Sequence, residues 1–276
     1  ARRIVSSLPG RLVLLGHPVR HSLSPVLQNA ALRQAGIPLT YEALDVAPDA
    51  LAPAVRGLVA CRAAGNVTIP HKEAVFALCS HRTALARRVG AVNTFWVDDA
   101  GTLVGDNTDV AGFECLARRV LGEIPDGARV AVLGAGGGAL AVLTAVSDWP
   151  GARVTLCNRG AHRRDALAAR HCVVDRTTSR AEEAVRDCTV VINATPIGLH
   201  DDAVPVAVSA LSPGAAVLDL VYRRGETAWV REARARGHRA GDGLAMLVEQ
   251  GALAFERWLG RAAPRDAMWS AVGAQP

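Results

Sequence analysis

The residue best suited to acid-base chemistry in this chain is Lys72, the only lysine beside 30 arginines. A guanidinium stays protonated in proteins, whereas the ammonium of a partly buried lysine can release and regain a proton. A chain that uses arginine for almost every other cation is therefore expected to keep a lysine where a proton must be transferred. The alternative is that one exposed lysine survives by chance, and the neighbouring residues decide between the two.

Four polar clusters lie at the ends of apolar strands or the starts of helices. They are HSLSP (21–25), NVTIPHK (66–72), GAVNT (90–94) and GDNTD (105–109). Singly, each of them could be a helix cap or a turn. His17, His21 and His71 lie in or near these clusters, but none has a partner at metal-ligand spacing, so we predict no metal site.

A glycine-rich segment, VAVLGAGGGAL (130–140), follows a hydrophobic strand and leads into a helix. Glycines at such a turn let the backbone approach a pyrophosphate, whose charge meets the N–H groups at the helix start. A glycine cluster alone is weak support, and a plain tight turn is the alternative. The strand-turn-helix context favours dinucleotide binding.

The end of the next strand indicates which dinucleotide is bound. VTLCNRGAHRR (154–164) has no Asp or Glu that could hold a ribose 2′-hydroxyl, and Asn158 and Arg159 stand there instead. Arg163 follows, so two guanidiniums could grip a 2′-phosphate through charge-assisted hydrogen bonds. We therefore predict NADP rather than NAD, the alternative being ordinary surface arginines in an arginine-rich chain.

Composition excludes several classes of protein. With 276 residues, half of them hydrophobic, the chain can bury a sizeable core and form two domains. The net charge of +5 comes from scattered arginines with only two tyrosines, so we expect no nucleic-acid partner. The six cysteines form no CxxC pair, no apolar run is long enough to cross a membrane, and ARRIVSSLPGR does not resemble a signal peptide. We expect a cytoplasmic protein with reduced thiols.

Apolar runs alternate with helical patterns, which predicts α/β architecture with parallel sheets. The first hundred residues should form a small α/β unit with strands at 11–16, 40–46 and 65–69, and with Ser24 as the N-cap and Pro25 as the first residue of a helix that ends at Gly36. A second βα series should begin after a linking helix at 110–122. Long and short helices at 243–260 and 264–272 have no strand to follow and are expected to pack on the first unit.

The four clusters resemble, in order and spacing, the signature of the shikimate dehydrogenase family, whose members reduce 3-dehydroshikimate with NADPH. The resemblance continues through the glycine loop, Asn158-Arg159, NATPIG (193–198), DLVY (219–222) and GLAMLVEQ (243–250), and it spans essentially the whole chain. It implies an N-terminal α/β substrate domain (1–108 with 244–276) and a Rossmann-type, doubly wound NADP-binding domain (109–243), with the active site in the cleft between them. A monomer or homodimer in chorismate and aromatic amino acid biosynthesis is expected.

The resemblance also implies roles for individual residues. Ser22 and Ser24, helped by Tyr222, would hold the substrate carboxylate. The residues implied to bind the ring hydroxyls are Asn66, Thr68, Asn93, Asp109 and Gln250. The residues implied to bind the cofactor are Gly134, Ala135, Gly136, Gly137, Gly138, Asn158, Arg159, Arg163, Thr195 and Gly243. This set suits a polyhydroxylated ring acid, which requires many small neutral donors and acceptors and one anion site.

Lys72 and Asp109 would form the catalytic pair. Lys72 as ammonium can stabilise the alkoxide that develops on the substrate carbonyl and deliver a proton to it, while Asp109 orients the lysine and a substrate hydroxyl. The alternative is that Lys72 acts only through its charge.

The chain departs from the family pattern at Leu140, where Arg is frequent, at Gly160, where Thr is frequent, and at 223–225. These departures leave two alternatives: a paralogue acting on quinate or aminoshikimate, or a non-catalytic NADP(H) sensor.

Overall fold

The computed structural model describes residues 8–223 and 225–274. The chain folds as two compact units, which we call unit 1 (residues up to Asp109 and from Leu247 onward) and unit 2 (Val110–Met246). The divisions lie one and three residues beyond the boundaries expected from the sequence. No helix within the described ranges is long and apolar enough to cross a membrane.

Unit 1 contains a six-stranded mixed sheet flanked by helices. Its elements in chain order are β1 (Leu12–Gly16), α1 (Ser24–Gln34), β2 (Tyr41–Asp45), α2 (Leu51–Ala60), β3 (Ala64–Val67), α3 (Lys72–Leu78), β4 (His81–Arg82), α4 (Ala84–Val89), β5 (Thr94–Val97) and β6 (Leu103–Asp106). The strand order is β2-β1-β3-β5-β6-β4. The first three strands are parallel, whereas β5 runs antiparallel to both β3 and β6.

Unit 2 contains a six-stranded sheet in which every pair is parallel. After α5 (Asp109–Leu121) come β7 (Arg129–Leu133), α6 (Gly137–Val146), β8 (Arg153–Cys157), α7 (Ala161–Arg170), β9 (Val174–Thr178), α8 (Ala181–Ala184), β10 (Val190–Asn193), β11 (Ala216–Asp219), α9 (Ala228–Ala235) and β12 (Ala240–Gly241). The order β12-β11-β10-β7-β8-β9 is that of a doubly wound dinucleotide-binding fold. The chain ends with α10 (Leu244–Leu259) and α11 (Arg265–Ala271).

The expected α/β class and the return of the C-terminal helices to the first unit are confirmed. Trp258 of α10 stacks on Tyr41 of β2 with ring centroids 5.9 Å apart, and its indole N–H donates to Thr94 at 3.0 Å. Gln28 of α1 donates to the carbonyl of Gly251 at 2.9 Å. These buried contacts fix α10 against the sheet of unit 1.

The predicted helix cap at Ser24 is wrong. Leu23 occupies the cap position, Ser24 is the first helical residue, and Pro25 stands in the first turn. The Ser22 hydroxyl accepts a hydrogen bond from the backbone N–H of Ser24 at 3.2 Å, but Ser22 precedes the cap position, and no side chain caps the helix. The expectation of purely parallel sheets also fails for unit 1, because β5 and β6 form a hairpin through a short turn.

Candidate active site

Lys72 and Asp109 form a close ion pair within unit 1. The Nζ atom of Lys72 lies 2.6 Å from Oδ2 of Asp109, and the two side chains are 15% and 6% exposed. Each residue is the first of its helix, α3 for Lys72 and α5 for Asp109. The carboxylate is favourable at a helix start, whereas the ammonium is not. The ion pair with Asp109, and not the dipole of α3, therefore stabilises the positive charge of Lys72.

Asn93 holds the other oxygen of this carboxylate. Its side-chain NH₂ group lies 2.8 Å from Oδ1 of Asp109, 3.0 Å from the Thr108 hydroxyl and 3.3 Å from Oε1 of Gln250. An amide has two hydrogens to donate, so at any moment one of these acceptors receives none from Asn93. The site thus offers more acceptors than Asn93 has hydrogens, which suits a ligand that carries hydroxyl groups.

The residue that positions Asn66 is Tyr41. The Tyr41 hydroxyl donates to Oδ1 of Asn66 at 2.8 Å, and the Asn66 amide donates to the backbone carbonyl of Asn93 at 3.2 Å. Asn66 lies on β3 opposite Thr94 of β5, and Thr68 follows it, half-buried. Strand pairing therefore brings the second and third polar clusters together at one place in the sheet.

The two serines lie where the chain enters α1. Ser24 is buried and Ser22 is half-buried. The start of a helix presents unbonded N–H groups and the positive end of the helix dipole, which together favour an anionic ligand. With the two hydroxyls beside it, this segment is suited to hold a carboxylate.

In unit 2, the glycine-rich turn has the geometry that a dinucleotide requires. Gly134 has φ +110°, and a Cβ atom there would lie 2.7 Å from the carbonyl oxygen of Ala194, so only glycine fits. Gly136 is the cap of α6, and a Cβ atom on it would meet nothing within 4 Å. The turn is therefore closely packed at Gly134 and open at Gly136, where α6 begins.

The residues after β8 carry positive charge and no carboxylate. Asn158 is half-buried and donates to the carbonyl of Gly160 at 3.0 Å, and Arg159 is exposed. Nε of Arg163 donates to the carbonyl of Ala135 in the glycine turn, so this arginine joins α7 to that turn. Leu140, one of the departures from the family pattern, is fully buried in α6.

The remaining predicted residues of unit 2 follow β10 and β11. The Thr195 hydroxyl donates to Oδ1 of Asn193 at 2.6 Å. Gly243 packs so closely that a Cβ atom would lie 2.2 Å from the carbonyl oxygen of Leu220. Tyr222 is half-buried in the segment after β11. It belongs to unit 2, whereas the other residues predicted to bind substrate belong to unit 1.

Sequence reasoning missed three residues that organise the site. Tyr41 orients Asn66, as described above. Asn107 accepts a hydrogen bond from the backbone N–H of Asp109 at 3.0 Å, and Thr108 donates its backbone N–H to Asn93 at 2.7 Å. Asn107 and Thr108 lie inside the GDNTD cluster, so the cluster was a signal for them. Nothing in the sequence distinguishes Tyr41 from a core residue of β2.

Comparison with known proteins gives two matching family models. The shikimate dehydrogenase substrate binding domain matches residues 14–95, and the shikimate 5′-dehydrogenase C-terminal domain matches residues 243–272. A curated relative from Symbiobacterium thermophilum, named shikimate dehydrogenase (NADP(+)), is 43% identical over 98% of this chain and 96% of its own length.

Solved structures show the same architecture. Shikimate 5-dehydrogenase from Thermus thermophilus, in complex with NADP(H) and shikimate, has a TM-score of 0.84 and 38% identity, covering 95% of this chain and 98% of that one. A 5-ketofructose reductase from Gluconobacter has a TM-score of 0.80 and 30% identity, covering 99% of each chain. Proteins of this architecture therefore include a reductase that is named for a different ketone.

Proposed function

The chain belongs to the shikimate dehydrogenase family, and from this premise we propose that it reduces 3-dehydroshikimate to shikimate with NADPH, in chorismate and aromatic amino acid biosynthesis. The observation that carries the proposal is the Lys72–Asp109 pair, 2.6 Å long and nearly buried, among amide and hydroxyl groups. We assign unit 1 to substrate binding and catalysis, and unit 2 to NADP binding.

Substrate recognition in unit 1 would divide between two regions. Ser22 and Ser24 at the start of α1 hold the carboxylate of the ring acid, assisted by Tyr222. The side chains of Asn66, Thr68, Asn93, Asp109 and Gln250 bind its hydroxyls. Asn93 supports this assignment, because its three neighbouring acceptors exceed its two hydrogens. Substrate hydroxyls would supply the missing hydrogens.

The nicotinamide, when bound, supplies the hydride that reduces the substrate carbonyl carbon. Negative charge then develops on the carbonyl oxygen, and the ammonium of Lys72 stabilises it and transfers a proton to it, which leaves a neutral amine and a hydroxyl. Asp109 keeps Lys72 oriented through their ion pair. Because Lys72 is 15% exposed, water can return the proton.

The residues of unit 2 fit the cofactor proposed for them. Gly134, Ala135, Gly136, Gly137 and Gly138 would accommodate the pyrophosphate, since the open side at Gly136 gives access to the N–H groups at the start of α6. Asn158 and Arg159 would hold the adenosine ribose and its 2′-phosphate. Arg163 supports the turn through Ala135 and adds positive charge, while Thr195 and Gly243 would border the nicotinamide portion.

For the cellular setting we propose the cytoplasm, because the six cysteines, all within the described ranges, form no disulfide. We propose a monomer or homodimer that acts on small molecules and binds no nucleic acid.

The experiment that tests the function is nicotinamide absorbance during oxidation of shikimate, quinate and aminoshikimate, each with NADP and with NAD. Reduction of 5-ketofructose with NADPH is measured in parallel. Fastest turnover of shikimate with NADP supports the proposal. Faster turnover of another substrate would contradict the assigned substrate, and NADPH binding without any turnover would indicate a sensor.

A further inference from the structure

A buried carboxylate that the proposed reaction does not use lies at the end of β11. Asp219 is 1% exposed, and its register partner on β10, Asn193, is fully buried. Oδ1 of Asp219 accepts from the Asn193 amide at 2.8 Å and from the backbone N–H of Val221 at 3.0 Å. Oδ2 accepts from the Thr227 hydroxyl at 2.8 Å. The carboxylate thus receives donors from three separate segments of unit 2.

Each of these donors lies at or beside a different connecting segment. Asn193 also accepts from the backbone N–H and the hydroxyl of Thr195, and it donates to the carbonyl of Ile197 at 3.2 Å, which closes the 194–199 loop. Val221 lies in the 220–223 segment, which carries Tyr222. Thr227 is the N-cap of α9. One carboxylate therefore links the loop after β10 to the segment after β11 and to the following helix.

Both of these segments pack against the glycine turn. A Cβ atom on Gly134 would lie 3.0 Å from Cγ2 of Thr195, and one on Gly138 would lie 3.2 Å from Cδ1 of Leu220. On the far side, the backbone N–H of Gly243 donates to the carbonyl of Val221 at 2.9 Å. A shift of either segment would therefore change the space beside the turn that we assign to the pyrophosphate.

We propose that Asp219 is a positioning residue for NADP, holding the 194–199 loop and the 220–223 segment in the arrangement in which both contact the glycine turn. The inference rests on the proposed function for the identity of the cofactor. It assigns Asp219 no contact with the cofactor itself, since its effect passes through Asn193 to Thr195 and through Val221 to Tyr222.

The chemistry of the cluster supports a geometric role over a charge role. Burial raises the pKa of Asp219 to about 6, with repulsion from Asp242 adding to the shift against three hydrogen bonds that lower it. The charge is thus unfavourable in this place, whereas both oxygens accept hydrogen bonds. An asparagine could keep Oδ1 as the acceptor for Asn193 and Val221 and donate to Thr227 Oγ1, because that hydroxyl can reverse its role.

The test is direct binding of NADPH by titration calorimetry, without substrate, to Asp219→Ala, Asp219→Asn and a control variant. Trp149→Phe is the matched control, since it removes a partly buried hydrogen bond to Glu114 (2.8 Å) in the same unit, outside these two segments. We expect Asp219→Ala to weaken NADPH by about tenfold or more, as unpaired donors disorder the segments. We expect Asp219→Asn to restore affinity to within about threefold of the parent, and the control to match the parent.

An Asp219→Ala variant that binds NADPH as tightly as the Trp149→Phe variant would overturn the proposal. An Asp219→Asn variant that binds NADPH as weakly as Asp219→Ala would also overturn it, because the loss of affinity would then not result from lost hydrogen-bond geometry. Should the alanine variant fail to fold by circular dichroism, Asn193→Ala removes the bonds to Asp219, Thr195 and Ile197 but leaves those of Asp219 with Val221 and Thr227, and it must weaken NADPH by about fivefold. Binding is measured apart from turnover, so a parent protein that binds NADPH but leaves 3-dehydroshikimate unchanged would refute the proposed function and not this inference.

Discussion

Replacing Lys72 with alanine tests the catalytic assignment most directly. A positioned general acid contributes about 10²–10⁴-fold to the rate, so kcat should fall by about that factor. KM for the ring acid should stay within about tenfold, because the group acts chiefly in the transition state. Substrate hydroxyls would still find Asn93 and Gln250 in place, since neither depends on Lys72 for a hydrogen bond.

Lys72→Ala should also lower the free energy of unfolding, by an amount that follows from the structure. Asp109 is 6% exposed and would keep its Asn93 donor but lose the ammonium at 2.6 Å. Removing one partner of a buried ion pair costs about 3–5 kcal/mol. Because Lys72 is partly exposed, we expect a loss at the lower end, about 3 kcal/mol. Combining Lys72→Ala with Asp109→Asn should recover most of the stability and none of the turnover.

The assay is steady-state oxidation of shikimate with NADP, together with urea unfolding of each variant. Arg257→Ala is the control: it removes the 3.0 Å ion pair to Asp106, but Asp106 keeps Thr83 and the backbone N–H of Asn107 as donors. The control should retain kcat within about threefold. A folded Lys72→Ala variant whose turnover matches that of the control would refute the catalytic role.

Two further outcomes are expected. Arg159→Glu should weaken binding of NADPH far more than binding of NADH, because the side chain is assigned to the 2′-phosphate that only NADPH carries. Arg153→Glu is the control: Arg153 is exposed at the opposite end of β8, so its replacement should not discriminate between the two cofactors. Equal weakening of both cofactors by Arg159→Glu would remove the assignment. For Asp219, burial, with Asp242 nearby, raises the folded pKa to about 6 from the ordinary 3.8. The native state therefore binds the proton more tightly than the unfolded state does. The free energy of unfolding, relative to that of Asp219→Asn, should fall by roughly 3 kcal/mol as the pH rises from about 4 to 6. Urea unfolding of both proteins at several pH values measures this difference, and a constant difference would contradict the buried-carboxylate reasoning.

Local sequence patterns were sufficient for the features that depend on neighbouring residues. The turn at Gly134 to Gly138 follows from an apolar strand that leads into a helix, and the helix stop at Gly36 and the proline in the first turn of α1 are of the same kind. Short or polar elements escaped prediction. The strand β9, with the sequence VDRTT, is largely exposed, and β4 and β12 have two residues each. Such segments are ordered by pairing with their neighbours and carry no periodicity of their own.

The sequence by itself determined which residue types are available for chemistry, namely one lysine, clustered amides and hydroxyls, and a glycine turn without a following carboxylate. Only the tertiary structure decided which of them meet. Lys72 contacts Asp109 across 37 residues, and Asn93 reaches Gln250 across 157, because strand order and the return of α10 bring these elements together. The buried donors around Asp219 were equally invisible, since a carboxylate at the end of an apolar strand gains its partners only when three separate turns converge on it.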